Sequence, residues 1–130
     1  MGSAGSTAWI SILDGPGWQD LFEASGRAAL IGGEMAAYLV VDTDLTNPEM
    51  YESYKLKAKP LVEKYGGEYL ARGGQLSVKE SKLWAPTRMV LIRFPSAADA
   101  ETFYHSDEYQ EVLQIGLQSA NRTLFILEGV

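Results

Sequence analysis

The sequence predicts an α+β fold in which strands and helical regions follow one another as β-α-β-β-α-β. Three observations predict it. Four short runs are rich in β-branched or aromatic residues and alternate in polarity. Two longer stretches carry apolar residues three and four apart, the helical spacing. The borders between them hold helix caps and glycine pairs. A chain of 130 residues is one ordinary domain, large enough for a continuous core.

The first element is AYLVVDTDL, which follows Ala36 and reads as a strand. Asn47 is placed to cap the next helix, Pro48 suits its first position, and Glu49 complements its dipole. Tyr51, Tyr54, Ala58, Leu61, Val62 and Tyr65 then recur at helical spacing. Pro60 lies inside that run and is expected to kink it. Gly66 and Gly67 end the helix. Residues 68–78 are expected to form the second strand, with Gly73 and Gly74 making a bulge that aims Arg72 into a cleft between sheet and helix. A polar hairpin with Trp84 leads to the third strand, RMVLIRF. Ser96 and Asp99 form a capping-box pattern that opens the second helical region. That region breaks near His105 and Ser106, where Ser106 recaps it, and RTLFILEGV closes the chain as the fourth strand. This order is the split arrangement of ferredoxin-like folds with a four-stranded antiparallel sheet.

Two helical regions cover only one face of such a sheet. Yet Val90, Ile92 and Phe94 project opposite to Met89 and Leu91, and Leu124 and Ile126 opposite to Phe125 and Leu127. Both faces are therefore apolar, and the uncovered one is expected to meet a second copy in a homodimer.

Residues 1–35 are expected to form an N-terminal extension, partly irregular, before a domain over residues 36–130. MGSAGST has linker composition. Under one hypothesis Met35 is the natural start. Under the other the leader is a genuine arm that packs through Trp9, Trp18 and Phe22.

Composition narrows the function. A hydrophobic share of 46%, a charged share of 22% and a net charge of −6 suit a globular protein and argue against nucleic acid as partner. The absence of cysteine removes thiolate chemistry, disulfides and Cys-based metal sites. One histidine is too few for a multi-histidine metal site, so no metal is expected, and Asp42 and Asp44 are expected at a strand end facing solvent. Neither a nucleotide fingerprint nor a nucleophile elbow is present, and no cofactor is expected. With no apolar run long enough to span a bilayer and no secretion signal, no membrane partner and a cytoplasmic location are expected. For the same reason the glycosylation sequon Asn121-Arg122-Thr123 is set aside.

The remaining candidates are polar aromatics, one histidine and one arginine. His105 beside Tyr104 is a candidate acid/base pair, weighed against a plain surface histidine at a helix junction. Arg72 is a candidate anion holder, weighed against an ion pair with Glu68 or Glu128. Tyr38, Tyr54, Tyr69, Tyr104 and Tyr109 are read mostly as core aromatics, of which one or two are candidates to line a pocket with their hydroxyls, Tyr38, Tyr69 and Tyr109 being singled out for binding. Trp84 is a candidate lid or dimer contact, and Arg93 is expected to point into the dimer interior.

The strings YLVVDTDLTNPEMYESYKLKAKPLVEKYGGEYLARGG, VLIRFPSAADAETFYHSDEYQ and ILEGV resemble the small bacterial proteins grouped as domain of unknown function 1330. The YGG-x-x-L-x-RGG and F-Y-x-S-x-E-Y-Q runs carry the resemblance, over Ala36 to Val130. It implies the dimeric α/β-barrel superfamily, which also holds antibiotic-biosynthesis monooxygenases and polyketide cyclases. The expected function is small-molecule binding by a dimeric barrel. That allows cofactor-independent cyclisation, isomerisation or oxygenation of an aromatic or polyketide-like carbonyl compound. The alternative is a non-catalytic metabolite-binding or assembly module.

Overall fold

The structure, a computed structural model, describes residues 35–130. The expectations for residues 1–34 lie outside the described residues. The elements are β1 (Ala37–Leu45), α1 (Pro48–Lys64), β2 (Glu68–Arg72), β3 (Met89–Phe94), α2 (Ala97–His105), α3 (Asp107–Ser119) and β4 (Ala120–Glu128). The four strands form one antiparallel sheet in the order β2-β3-β1-β4. With that order the domain is α+β and ferredoxin-like, as the sequence predicts.

The helix ends are set locally. The Asn47 side chain accepts from the Met50 amide at 3.1 Å, and Pro48 takes the first helical position, where no donor is needed. α1 runs on through Pro60. At its far end Gly66 adopts φ 91°, its N–H donates to Glu63 O, and the Gly67 N–H donates to Val62 O at 2.8 Å. These two bonds are the paired closure that a left-handed residue makes possible. Ser96 caps α2 by accepting from the Asp99 amide, and Ser106 caps α3 by accepting from the Tyr109 amide, each at 3.1 Å.

One face of the sheet is covered. Ala37, Leu39 and Val41 of β1 and Val90, Ile92 and Phe94 of β3 are buried there under Tyr51, Tyr54, Ala58 and Val62 of α1, Phe103 of α2, and Tyr109 and Leu113 of α3. The α1 residues fall three or four apart, so one stripe of the helix does the covering. On the other face Tyr38, Val40 and Leu91 are half-buried, while Phe125 and Leu127 stand 39% and 56% exposed.

The second strand is shorter than expected. β2 ends at Arg72, not residue 78, and its bulge falls at Leu70, between Tyr69 and Ala71. Gly73, at φ 68°, turns the chain away after donating to Met89 O. The returning amides of Thr87 and Arg88 donate to Asp42 Oδ1 at 2.8 and 2.9 Å, so they are not available to a longer ladder. Asp42 therefore does not face solvent as expected: it is 8% exposed and anchors the 73–88 segment. Asp44 is exposed.

Candidate functional site

Strand alternation and register decide which polar residues face the helices. Arg72 pairs with Val90 and Tyr69 with Ile92, which puts both on the covered face. Thr43 pairs with Arg122 on β4, and its amide donates to Arg88 O at 3.0 Å. Arg88, Thr43 and Arg122 thus form one row across β3, β1 and β4, a step beyond the last apolar row of the core.

Between this row and α1 lies a cleft lined by Tyr54, Tyr69, Arg72, Arg88, Tyr109 and Arg122 over an apolar floor that includes Leu39, Val41 and Val90. Counted out to its open mouth it holds about 430 Å³, of which only about 30 Å³ admits a water-sized body.

The hydroxyls of Tyr54 and Tyr109 meet at 2.7 Å in the buried end of the cleft, a bond worth about 1 kcal/mol net. Arg122 Nη2 donates to the Tyr54 hydroxyl at 3.2 Å, and its guanidinium carbon lies 5.0 Å from the Tyr54 ring centre. Gly116 of α3 makes room for it: a Cβ there would stand 3.0 Å from Arg122 Nη1 and from the Tyr54 ring. Burial pushes the Tyr54 phenol far above its ordinary range, reinforced by Tyr109 and only partly opposed by Arg122. Burial works against the charge of Arg122, but Tyr54 and Tyr109 outweigh it and hold the group above its usual value. The phenol therefore stays protonated and the guanidinium charged. Tyr69 is also raised, by burial, although Arg72 sits 4.7 Å from its ring centre and pulls the other way.

Among the described residues none of the three cleft arginines has a carboxylate partner: Glu68 faces Arg93 at 3.9 Å, and Glu52 is taken by Lys55 at 2.9 Å. Two buried polar atoms at the row, Thr43 Oγ1 and Arg122 Nε, have no hydrogen-bond partner. Leaving such a group unmet costs about 1–3 kcal/mol, more when it is charged. Among the described residues no histidine or carboxylate lines the cleft.

Of the residues singled out from sequence, Arg72, Tyr69 and Tyr109 line the cleft. His105 and Tyr104 do not. His105 ends α2 on the surface, with its side chain 69% exposed and Nε2 3.2 Å from Glu101 one turn back. The structure thus does not bring His105 and Arg72 into one pocket, because the helix break leaves His105 on the outer side of α2. Tyr104 is half-buried and packs on Tyr109 at 5.6 Å between ring centres. Tyr38 and Arg93 stand on the uncovered face of the sheet, paired in register. Trp84 lies on the 73–88 segment, 41% exposed, with its indole N–H donating to Asp42 Oδ2 at 2.8 Å. Burial raises the Asp42 carboxyl, but the Arg88 and Thr87 amides and the Trp84 indole outweigh it and hold it below its usual value.

Tyr54, one of the five tyrosines considered for a pocket, also lines the cleft, and Arg88 and Arg122, which sequence reasoning did not single out, complete it. The available signal was phase: Arg88 alternates with Val90, Ile92 and Phe94, and Arg122 with Leu124 and Ile126, all pointing inward. Among the described residues no group of three metal-ligating side chains is gathered, and no helix is long and apolar enough to cross a membrane.

Fold and site together define a ferredoxin-like α+β protein with an aromatic, cationic cleft between sheet and helices. Residues 36–130 match the model of the family Domain of unknown function (DUF1330), and the chain belongs to that family. It is similar in structure to a protein of unknown function from Rhodopseudomonas palustris, at 18% identity and a TM-score of 0.60, covering 92% of this chain and 96% of that one. A candidate antibiotic biosynthesis monooxygenase from Nitrosomonas europaea is a more distant likeness, at 18% identity and a TM-score of 0.45 over 78% of this chain and 95% of that one. The first supports the fold alone, and the second is too remote to bring an activity with it. No curated protein matches the chain.

Proposed function

We propose that this protein binds a small anionic carbonyl compound, of aromatic or polyketide-like type, in the sheet–helix cleft and without a cofactor. The observation that carries this is the set of three guanidiniums facing the cleft, none of which is in a salt bridge with a carboxylate among the described residues. Planar guanidinium forks suit planar oxygen anions. A protonated Tyr54 donates to a carbonyl oxygen, and the tyrosine rings stack on a flat ligand. Binding is favoured over catalysis because no described lining residue is a histidine or a carboxylate. A second reading rests on the Arg122–Tyr54–Tyr109 chain of hydrogen bonds, which would donate to an enolate oxygen while solvent water takes up the α-proton. That reading covers isomerisation or cyclisation. His105 has no part in either, so His105→Ala leaves binding unchanged.

The same reading takes the protein as a homodimer whose uncovered sheet faces pack on one another through Phe125 and Leu127, closing a barrel. Its domain is residues 36–130, with 1–35 an extension. A chain beginning at Met35 is expected to keep both thermal stability and assembly.

The test is mass spectrometry of small molecules carried through native purification, repeated on Tyr54→Phe and Arg72→Met. The expected result is a carbonyl compound whose occupancy falls in both variants. A protein that carries no such compound, and binds none from a panel of aromatic keto acids by calorimetry, overturns the proposal.

A further inference from the structure

We propose that Asp42, which does not line the cleft, is the positioning residue that aims the Arg88 guanidinium at an anionic ligand. The proposal rests on the cleft being a binding site, and it names the residue outside the cleft that sets its preference for an anion.

Arg88 stands just outside the ladder that would otherwise fix its direction. The pairing of β1 with β3 ends at Asp42 and Met89, and β2 pairs no further than Arg72 with Val90. In a bonded antiparallel pair, the two facing residues exchange both of their N–H and C=O bonds. Thr43 supplies its half, donating to Arg88 O at 3.0 Å. The Arg88 N–H goes instead to the side chain of the preceding residue, Asp42 Oδ1, at 2.9 Å, beside the Thr87 N–H at 2.8 Å. Consecutive residues of β1 thus hold both backbone groups of Arg88, and with them the direction in which its side chain leaves the chain. The carboxylate makes these bonds charge-assisted and stronger than neutral ones. Its second oxygen accepts from the Trp84 indole at 2.8 Å, which fixes the carboxylate plane.

The guanidinium is braced from another side by Gly73. A Cβ there would stand 3.1 Å from Arg88 Nε and Nη2, so the glycine leaves the space against which the guanidinium rests. Gly73 also donates to Met89 O at 2.8 Å and directly follows Arg72. Arg72 and Arg88, two of the cleft arginines, are therefore carried by one bonded turn. By alternation with Leu39 and Val41, which floor the cleft, Asp42 belongs to the opposite face of β1. Its effect on a ligand passes through Arg88. A guanidinium held in place beforehand loses less freedom when the ligand binds.

The experiment measures binding to the full-length protein by calorimetry. The probe is benzoylformate, an aromatic keto acid, and its match is the uncharged methyl ester. Asp42→Ala is expected to weaken benzoylformate about tenfold, equal to about 1.4 kcal/mol, and to leave the ester unchanged. Asp42→Asn keeps an acceptor oxygen without the charge and should fall between the two. In an Arg88→Met background neither change at Asp42 should weaken benzoylformate further, because the side chain it positions is gone.

If Asp42→Ala does not fold, Asp42→Asn carries the same cycle. A change at Asp42 that weakens acid and ester alike, or weakens the acid equally with and without Arg88, shows a general loosening and overturns the proposal. Unchanged affinity for the acid overturns it as well. If neither benzoylformate nor any other aromatic keto acid binds the unaltered protein, the binding reading itself fails, and the positioning role with it.

Discussion

The two faces of the sheet are built from the same strands, residue by residue in alternation, and they have been given opposite characters. The covered face is apolar through its middle and ends in a row of Arg88, Thr43 and Arg122, with Arg72 and Tyr69 at its β2 edge. The other face keeps Tyr38, Val40 and Leu91 half-buried beside Phe125 and Leu127, which stand exposed. One face hides charge behind helices while the other shows hydrocarbon to water.

The comparison breaks most visibly through the core. Phe103→Ala removes a fully buried ring and is expected to cost about 3–5 kcal/mol in urea unfolding. Leu127→Glu, on the other face, should leave the fold nearly unchanged and convert a dimer to monomers by light scattering. An equal loss of stability from both changes, with assembly intact, would show that Leu127 is core and not contact.

Gly116→Ala tests the covered face more finely. Alanine favours a helix interior by about 1 kcal/mol. Here its Cβ would lie 3.0 Å from both Arg122 Nη1 and the Tyr54 ring, so overpacking of about 1–3 kcal/mol should win. A net gain in melting temperature would mean that Arg122 is free to step aside, and the preorganised guanidinium would go with it.

The smallest effect expected is a pH dependence. Asp42 is held below its usual carboxyl value in the folded protein. The unfolded chain binds that proton more readily, so the stabilisation is fully present above the unfolded carboxyl range and is lost as pH falls through the lowered folded value. Asp42→Asn should flatten the acid side of the stability profile and alter the Trp84 emission. An unchanged profile would show that the 73–88 segment does not depend on this carboxylate.

Legibility followed distance along the chain. β1 and the ends of α1, α2 and α3 were readable because their signals are local: a β-branched run, Asn47 with Pro48, Gly66, Ser96 and Ser106. The end of β2 was not, because it depends on Asp42 capturing Thr87 and Arg88 from another strand. Tyr54 read as a member of an apolar stripe and as one of five tyrosines that could line a pocket, but nothing local marked it out from the others, since its hydroxyl partner lies on α3. Arg122 was read only as part of a sequon, although its inward phase was available. His105 was placed correctly at a helix break, but a break does not say which way the side chain turns; the i,i+4 spacing to Glu101 was the better clue.

The strand order has a kinetic consequence. β1 is made first, yet its neighbours in the sheet are β3 and β4, and its pairing with β4 joins residue 37 to residue 128. One edge of β1 can pair once β3 is made, but the other stays open until β4 has been made. Closure over such separations slows folding relative to a domain of neighbouring hairpins. Stopped-flow refolding should show β4 substitutions such as Ile126→Val changing mainly the unfolding rate, with the helix α1 and strands β1 and β3 already engaged at the barrier.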